Sequence, residues 1–272
     1  MPESLSVIRH WGSAFLFLCL HAPIGSVAET ITLGGVGSMT PIIKRLGAEY
    51  AKKNPGTDVQ VINPPMGSAG GIRALAAGKV DIALSGRPTK PEESGSSRPW
   101  LQTPMVLATF GGKTKGMTRT QIADVYAGRK TTWDDGKPIR LVLRGDQETE
   151  TKVLRSISPE VDAAVTLALK RPGLPIAEND LDAIDTLTKI QGSLGSTNLG
   201  LLNASQSKLM IIPIDGVMPS AKSAEDGSYR YVRQFHLITA ATPRPAVTAF
   251  LNWLNAPAAL ALARQLDYLP LK

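Results

Sequence analysis

Two turns, Gly34-Gly35-Val36-Gly37-Ser38-Met39-Thr40-Pro41 and Met66-Gly67-Ser68-Ala69-Gly70-Gly71-Ile72, carry the residue types that hold anions. Each follows a short β-like run, residues 31–33 and 59–62, and opens a helix-like stretch. The first N–H groups of a helix have no intrahelical acceptor, so two such starts facing one point would cradle a negative ligand. The chemistry on offer is binding.

Other chemistries are poorly supplied. Residues 1–28 read as an export leader: Arg9 precedes the apolar Phe15-Leu16-Phe17-Leu18-Cys19-Leu20, and Ser26-Val27-Ala28 offers a cleavage site before Glu29. The apolar run is well short of the ~20 residues of a spanning helix. Cleavage would remove Cys19, His10 and His21, leaving no cysteine and one histidine, His236. Cys/His zinc sites, thiol nucleophiles and disulfides would then be excluded, and a Ser-His-Asp triad would rest on His236 alone. That residue lies in an alternating strand-like run with no nucleophile elbow nearby, and reads as structural. No metal site and no cofactor are expected, and no enzymatic activity.

The leader carries one acid, Glu3, and one base, Arg9, so the net charge of +7 is unchanged by its loss. Such a charge favours small anions or acidic surfaces. The bases are scattered, without the basic run or interleaved aromatics of nucleic-acid grooves, so nucleic acid is not expected as a partner. With 43% hydrophobic residues the chain is long enough for two modest lobes, and 5% aromatics argues against a sugar-stacking cleft.

The elements that must position the turns alternate as strand and helix, an α/β pattern in which ligands sit beyond the carboxyl ends of strands. A first helix is expected over 41–53, with Thr40 as N-cap and Pro41 at the first helical position. A second covers about 70–77 and stops at Gly78; a strand follows over 80–85, then a sharp turn at Gly86-Arg87-Pro88. Residues 91–99, rich in Ser, Glu and Pro, read as a surface loop. Thr118 caps a helix through Tyr126 with Gly128 as its stop, and a strand over 139–143 ends at Arg144. A helix or broken pair covers 149–170, with a fresh start at Ser158-Pro159-Glu160; Asn179 caps another over 180–190. Residues 208–214 and the run around His236 are strand-like. Two helices, 245–254 and 257–266 with Asn255 near the second cap, close the chain.

The order of these pieces resembles the phosphate-type solute-binding proteins of ABC transporters, within the type 2 periplasmic binding protein superfamily. The most specific match runs from Gly67-Ser68-Ala69-Gly70-Gly71-Ile72-Arg73-Ala74-Leu75 through Gly78-Lys79-Val80-Asp81-Ile82-Ala83, similar to the family's Gly-Ser-x-Gly-Gly helix start and Val-Asp strand. Gly37-Ser38-Met39-Thr40-Pro41, Tyr126 to Trp133, Asp215-Gly216-Val217-Met218-Pro219-Ser220, Asp226-Gly227-Ser228-Tyr229 and Asp267-Tyr268-Leu269-Pro270-Leu271 support it. The resemblance implies a two-lobed α/β fold, each lobe a mixed, mostly parallel sheet flanked by helices, with a ligand cleft between. The lobes would be 29–104 plus 235–272, and 105–234. It further implies an oxyanion held by Ser38, Met39 and Thr40, by Ser68 and Ala69, and by Arg144 from the far lobe. Its partner would be an inner-membrane permease, the mature chain itself not spanning the membrane.

Two departures bear on selectivity. Where phosphate binders of this type carry an Asp that accepts the proton of hydrogen phosphate, this chain has Gly86, followed by Arg87. Arg87 is either a second cation for a fully ionised anion or a solvated turn residue. After Arg144 the family's Ser-Gly-Thr-like cluster is replaced by Gly145-Asp146-Gln147-Glu148-Thr149-Glu150-Thr151. Its three acids either face solvent and complement a helix dipole, leaving Thr149 or Gln147 to donate inward, or mark a lobe that no longer binds the family's ligand. The turn Gln191-Gly192-Ser193-Leu194-Gly195-Ser196 offers Ser196 as a lesser contact. The expected function is capture of a small oxyanion for ABC-type uptake from the periplasm or the outside of the cell. The alternative is a binding module repurposed as a sensor or partner-interaction protein with a degraded anion site.

Overall fold

The computed structural model describes residues 29–271, so the expected leader lies outside the described residues. The chain opens as β1 (Glu29–Gly35), a single 3₁₀ turn (Gly37–Met39) and α1 (Thr40–Lys53), then β2 (Thr57–Val61), α2 (Gly67–Ala76) and β3 (Ile82–Ser85). The three strands are parallel, with β1 between the other two, so both glycine-bearing turns leave the carboxyl edge of one sheet. The face of α1 that packs on the sheet carries Ile42, Ile43, Leu46 and Tyr50, all buried. Thr40 is the first helical residue rather than the expected cap. The 3₁₀ turn ahead of it supplies the Gly37 carbonyl to its N–H, so no side-chain cap is needed.

Glycine in these turns serves close packing. A Cβ at Gly71 would stand 2.8 Å from the Gly34 carbonyl oxygen, so α2 lies almost directly on β1. Gly35 has φ of +146°, and a Cβ there would overlap the Leu84 carbonyl oxygen.

The fourth strand, β4 (Ser96–Thr109), begins inside the segment expected to be a loop. Residues 96–99 pair antiparallel with the strand that carries His236, and Pro99 sits beside a register shift between Phe235 and His236. Next come α3 (Arg119–Ala127), β5 (Arg140–Leu141), β6 (Leu143–Arg144), α4 (Thr149–Arg155), α5 (Pro159–Lys170), β7 (Ile176–Ala177) and α6 (Asp180–Lys189). They are followed by β8 (Ser193–Asn198), α7 (Leu199–Ala204), β9 (Met210–Ile212), α8 (Ala221–Glu225), β10 (Val232–Thr239), α9 (Pro245–Leu254), α10 (Pro257–Arg264) and β11 (Leu269–Pro270).

Local signals explain most boundaries. Thr118 and Gln121 form a capping box at the start of α3, and Gly128 ends it in the left-handed conformation at φ of +81°. Ser158 accepts from the Val161 N–H and starts α5, breaking the 149–170 stretch into two helices. Asn179 accepts from the N–H groups of Leu181 and Asp182 and starts α6. At α10 the cap position is Ala256, not Asn255, whose side chain instead donates to the Leu251 carbonyl and finishes α9. The strand expected over 139–144 splits: β5 runs parallel to β8, and β6 turns away to pair with β7.

The molecule is a mixed α/β fold. The main sheet has the order β2-β1-β3-β10-β4-β8-β5, with β9 and β11 also bonded to β4. Parallel strands flank the antiparallel β4 and β10, and helices cover the faces. The buried apolar side chains fall into separate clusters. One joins β1, α1, Trp100, Leu101, Phe235, Phe250 and Tyr268; another joins Met105, Tyr126, Leu154, Val165, Tyr229 and Tyr231; a third surrounds Val106, Val142 and Leu187. Backbone passes between the first cluster and the others along β4 and β10, side by side where the Met105 N–H donates to the Tyr231 carbonyl at 2.8 Å. No single helix among the described residues is long and apolar enough to cross a membrane.

Candidate functional site

Ser38 sits in the 3₁₀ turn at the carboxyl end of β1, fully buried, with its carbonyl accepting from the Tyr268 hydroxyl at 3.2 Å. Its backbone N–H points across the molecule and donates to Oδ2 of Asp180 at 3.2 Å. Asp180 is the first residue of α6, placed there by the Asn179 cap. Its other oxygen, Oδ1, accepts from Nη1 of Arg233 at 2.6 Å and lies 3.7 Å from Nη2 of Arg144. One carboxylate thus stands at the meeting point of a helix-start amide and two guanidiniums, each carried by a different element.

Arg144 ends β6. Its side chain is buried, donates to the Ala177 carbonyl at 3.3 Å, and pairs with Glu148 at 3.0 Å. Arg233 lies on β10 with 1% of its surface exposed, and also holds Oε2 of Glu150 at 2.7 Å. Its guanidinium carbon is 5.2 Å from the centroid of the Phe235 ring. The cluster therefore contains two arginines and three carboxylates. Ser38 Oγ, Arg144 Nε, Arg233 Nε and Glu150 Oε1 are buried and have no partner among the described residues.

The protonation states follow from this geometry. Burial would raise the Asp180 carboxyl, but Arg233, Arg144 and the Ser38 N–H overcome it and hold the group down at about 2. Glu150 goes the other way: burial, reinforced by the Asp180 charge, outweighs its attraction to Arg233 and raises its carboxyl. Burial works against the charge on Arg233, yet Asp180 and Glu150 together raise its pKa above the ordinary arginine value. Of the two acids on Arg233, Asp180 is the firmly ionised one.

The remaining expected residues are distributed as follows. Met39 is part of the first apolar cluster, and Thr40 is buried with its N–H taken by Gly37. Ser68, in the first turn of α2, accepts the Gly86 N–H at 3.0 Å, while Ala69 is exposed. Arg87 turns back into its own loop, with both terminal nitrogens 2.6 Å from the carboxylate of Glu93 and Nη1 also donating to the Pro88 carbonyl. Thr149 faces Gly86 closely enough that a Cβ on that glycine would stand 2.9 Å from Thr149 Oγ1 and 3.5 Å from Arg233 Nη2. Ser196 is buried on β8 and lines, with Arg144 and Thr151, a void of about 10 Å³, room for no more than one water.

The three acids after Arg144 divide between the two expected arrangements. Asp146 faces outward to Arg155, Glu148 lies on Arg144, and Glu150 is buried on Arg233. Arg233 and Asp180 escaped sequence reasoning. A signal existed for Arg233, which is in phase with Tyr231 and Phe235 on an alternating strand and so points inward. Asp180 reads in sequence as an ordinary first-turn helix acid. His236 is buried on β10, with Nδ1 3.4 Å from Ser97 Oγ, and burial lowers its pKa.

This mixed α/β fold, with helices over the sheet, is that of the periplasmic binding proteins. The chain belongs to the PBP superfamily, whose domain model matches residues 22–257. It is 22% identical to Protein SphX of Synechococcus elongatus over 269 residues, covering 89% of this chain and 77% of that protein. It is 21% identical to the phosphate-binding protein PstS of Bacillus subtilis over 238 residues, covering 83% and 75%. Among solved structures, a putative phosphate ABC transporter substrate-binding protein with bound phosphate from Clostridium perfringens matches with a TM-score of 0.74 at 18% identity. That match covers 90% of this chain and all of the other, and shows the shared fold.

Proposed function

We propose that this chain is an exported solute-binding protein that captures phosphate or a related small oxyanion and delivers it to an ABC-type permease. The lobes would be residues 29–104 plus 235–272, and residues 105–234. The observation that carries the reading is the convergence of the Ser38 N–H, Arg144 and Arg233 on one anionic group. An oxyanion needs many charge-assisted donors, and a guanidinium fork supplies them in fixed geometry. Relatives named as phosphate-binding proteins support the ligand class. Ser38, Thr40, Ser68 and Thr149 would add hydroxyls, and Met39 and Ala69 backbone amides. Arg87 would contribute only on release from Glu93. No covalent step is involved: an anion that touches both lobes would bind the closed form better than an open one.

The test is calorimetry of the protein from Glu29 onward against phosphate, sulfate, molybdate and small carboxylates. Saturable phosphate binding, weakened at least tenfold by Arg144→Ala, is expected; an unchanged affinity in that variant removes Arg144 from the site. The internal pairing of both arginines favours a second reading, a sensor or partner-interaction module. Absence of saturable binding to every anion in the panel would select it.

A further inference from the structure

Asp180 already makes the contacts that a bound oxyanion would make. Its two oxygens take an amide proton from the turn after β1 and a guanidinium from β10, and lie near a second guanidinium from β6. It stands 142 residues from Ser38 and 53 from Arg233, so this is a long-range tie between elements and not a local helix-start contact. A first-turn acid placed only to complement a helix dipole would be exposed to water; Asp180 is 4% exposed.

Two arguments show what an incoming anion must do. Charge is the first. Arg144 faces Glu148 and Asp180, and Arg233 faces Asp180 and Glu150, so the cations are matched before any ligand arrives. A dianion added beside them would be a further buried charge without a counter-charge. Donor count is the second. A carboxylate has two oxygens, and Ser38 Oγ, Arg144 Nε and Arg233 Nε remain unpartnered around it. A tetrahedral oxyanion has four oxygens and can satisfy donors that Asp180 leaves unmet.

We infer that Asp180 is a built-in counter-anion: it holds the empty site closed, and an oxyanion binds by displacing it. The inference rests on the oxyanion reading of this site and adds the rule of entry. A small carboxylate offers the arginines nothing that Asp180 does not, and must also give up its freedom in solution, so it is rejected. A tetrahedral dianion gains the unused donors and is admitted. Asp180 thereby determines specificity without being a ligand contact.

The test compares the wild-type protein from Glu29 onward with Asp180→Asn, using phosphate and acetate titrations and small-angle scattering with and without phosphate. Wild type should be compact without ligand and change little on adding phosphate. Asp180→Asn should be more open without ligand, close on phosphate, bind phosphate about tenfold or more tightly, and gain measurable acetate binding. Equal phosphate affinity and equal ligand-free dimensions in the two proteins would overturn the inference. Should the variant fail to fold, hydrogen exchange in wild type decides: the Ser38 amide is expected to be protected without ligand, and free exchange overturns the proposal. If phosphate binds neither protein, the oxyanion reading fails, while the ligand-free scattering pair and the Ser38 amide still decide the role of Asp180.

Discussion

At the scale of single residues, the site is governed by how two buried carboxylates share one guanidinium. Asp180 is held at about 2 against an ordinary 3.8. Its stabilisation is complete above the ordinary value and is lost as pH falls through about 2. Glu150 is raised, so its contribution is complete below its ordinary 4.5 and is lost as pH climbs through the folded value. Between pH 4 and 2 the native protein should therefore lose about 2 kcal/mol through Asp180 alone. Urea unfolding at stepped pH checks this: Asp180→Asn should flatten the acid limb, and an unchanged slope would refute the assignment. Arg144 was legible in the sequence as the last residue of a strand-like run. Arg233 was hidden because arginine on an alternating strand usually faces water, although its phase with Tyr231 and Phe235 places it on the inward face. Gly86 was legible as a departure but not as a consequence. The structure shows Thr149 Oγ1 only 2.9 Å from where the Cβ of an aspartate would lie there.

At the scale of elements, the readable features were those with local physical causes. Thr118 with Gln121, Ser158, Asn179 and Gly128 all act where the sequence places them, because caps and left-handed stops are set by neighbours in the chain. The misread segments depended on distant partners. Residues 96–99 look like a loop until β10 lies beside them, and the 139–144 strand divides because β8 and β7 claim different halves. The same distinction separates two substitutions. Ser158→Ala removes a cap and should cost about 1 kcal/mol with no change in ligand affinity. Gly71→Ala forces a methyl to 2.8 Å from the Gly34 carbonyl, should cost about 1–3 kcal/mol, and should weaken phosphate binding by moving α2 and Ser68. Chemical denaturation paired with calorimetry measures both; equal effects on affinity would mean that α2 does not position the site.

At the scale of the whole molecule, charge and connectivity act together. A net charge of +7 draws small anions toward the surface before any specific contact forms. Stopped-flow phosphate association should slow severalfold between about 20 mM and about 500 mM KCl, because screening shortens the reach of that field. A rate insensitive to salt would leave capture to the two buried arginines alone. The α/β alternation and the carboxyl-edge placement of the turns were visible in the sequence. That Asp180 would accept the Ser38 N–H was not, since no rule of spacing links the two residues.

The Met105 N–H to Tyr231 carbonyl bond joins the two strands by which the backbone passes from one apolar cluster to the next. Adjacent strands accommodate a range of twist, widest in a two-stranded ribbon. Any swing of one cluster against the other is thus confined to a torsional flexure a few residues wide. Such a flexure would carry the faces apart and back along a single arc, so that they meet in register each time.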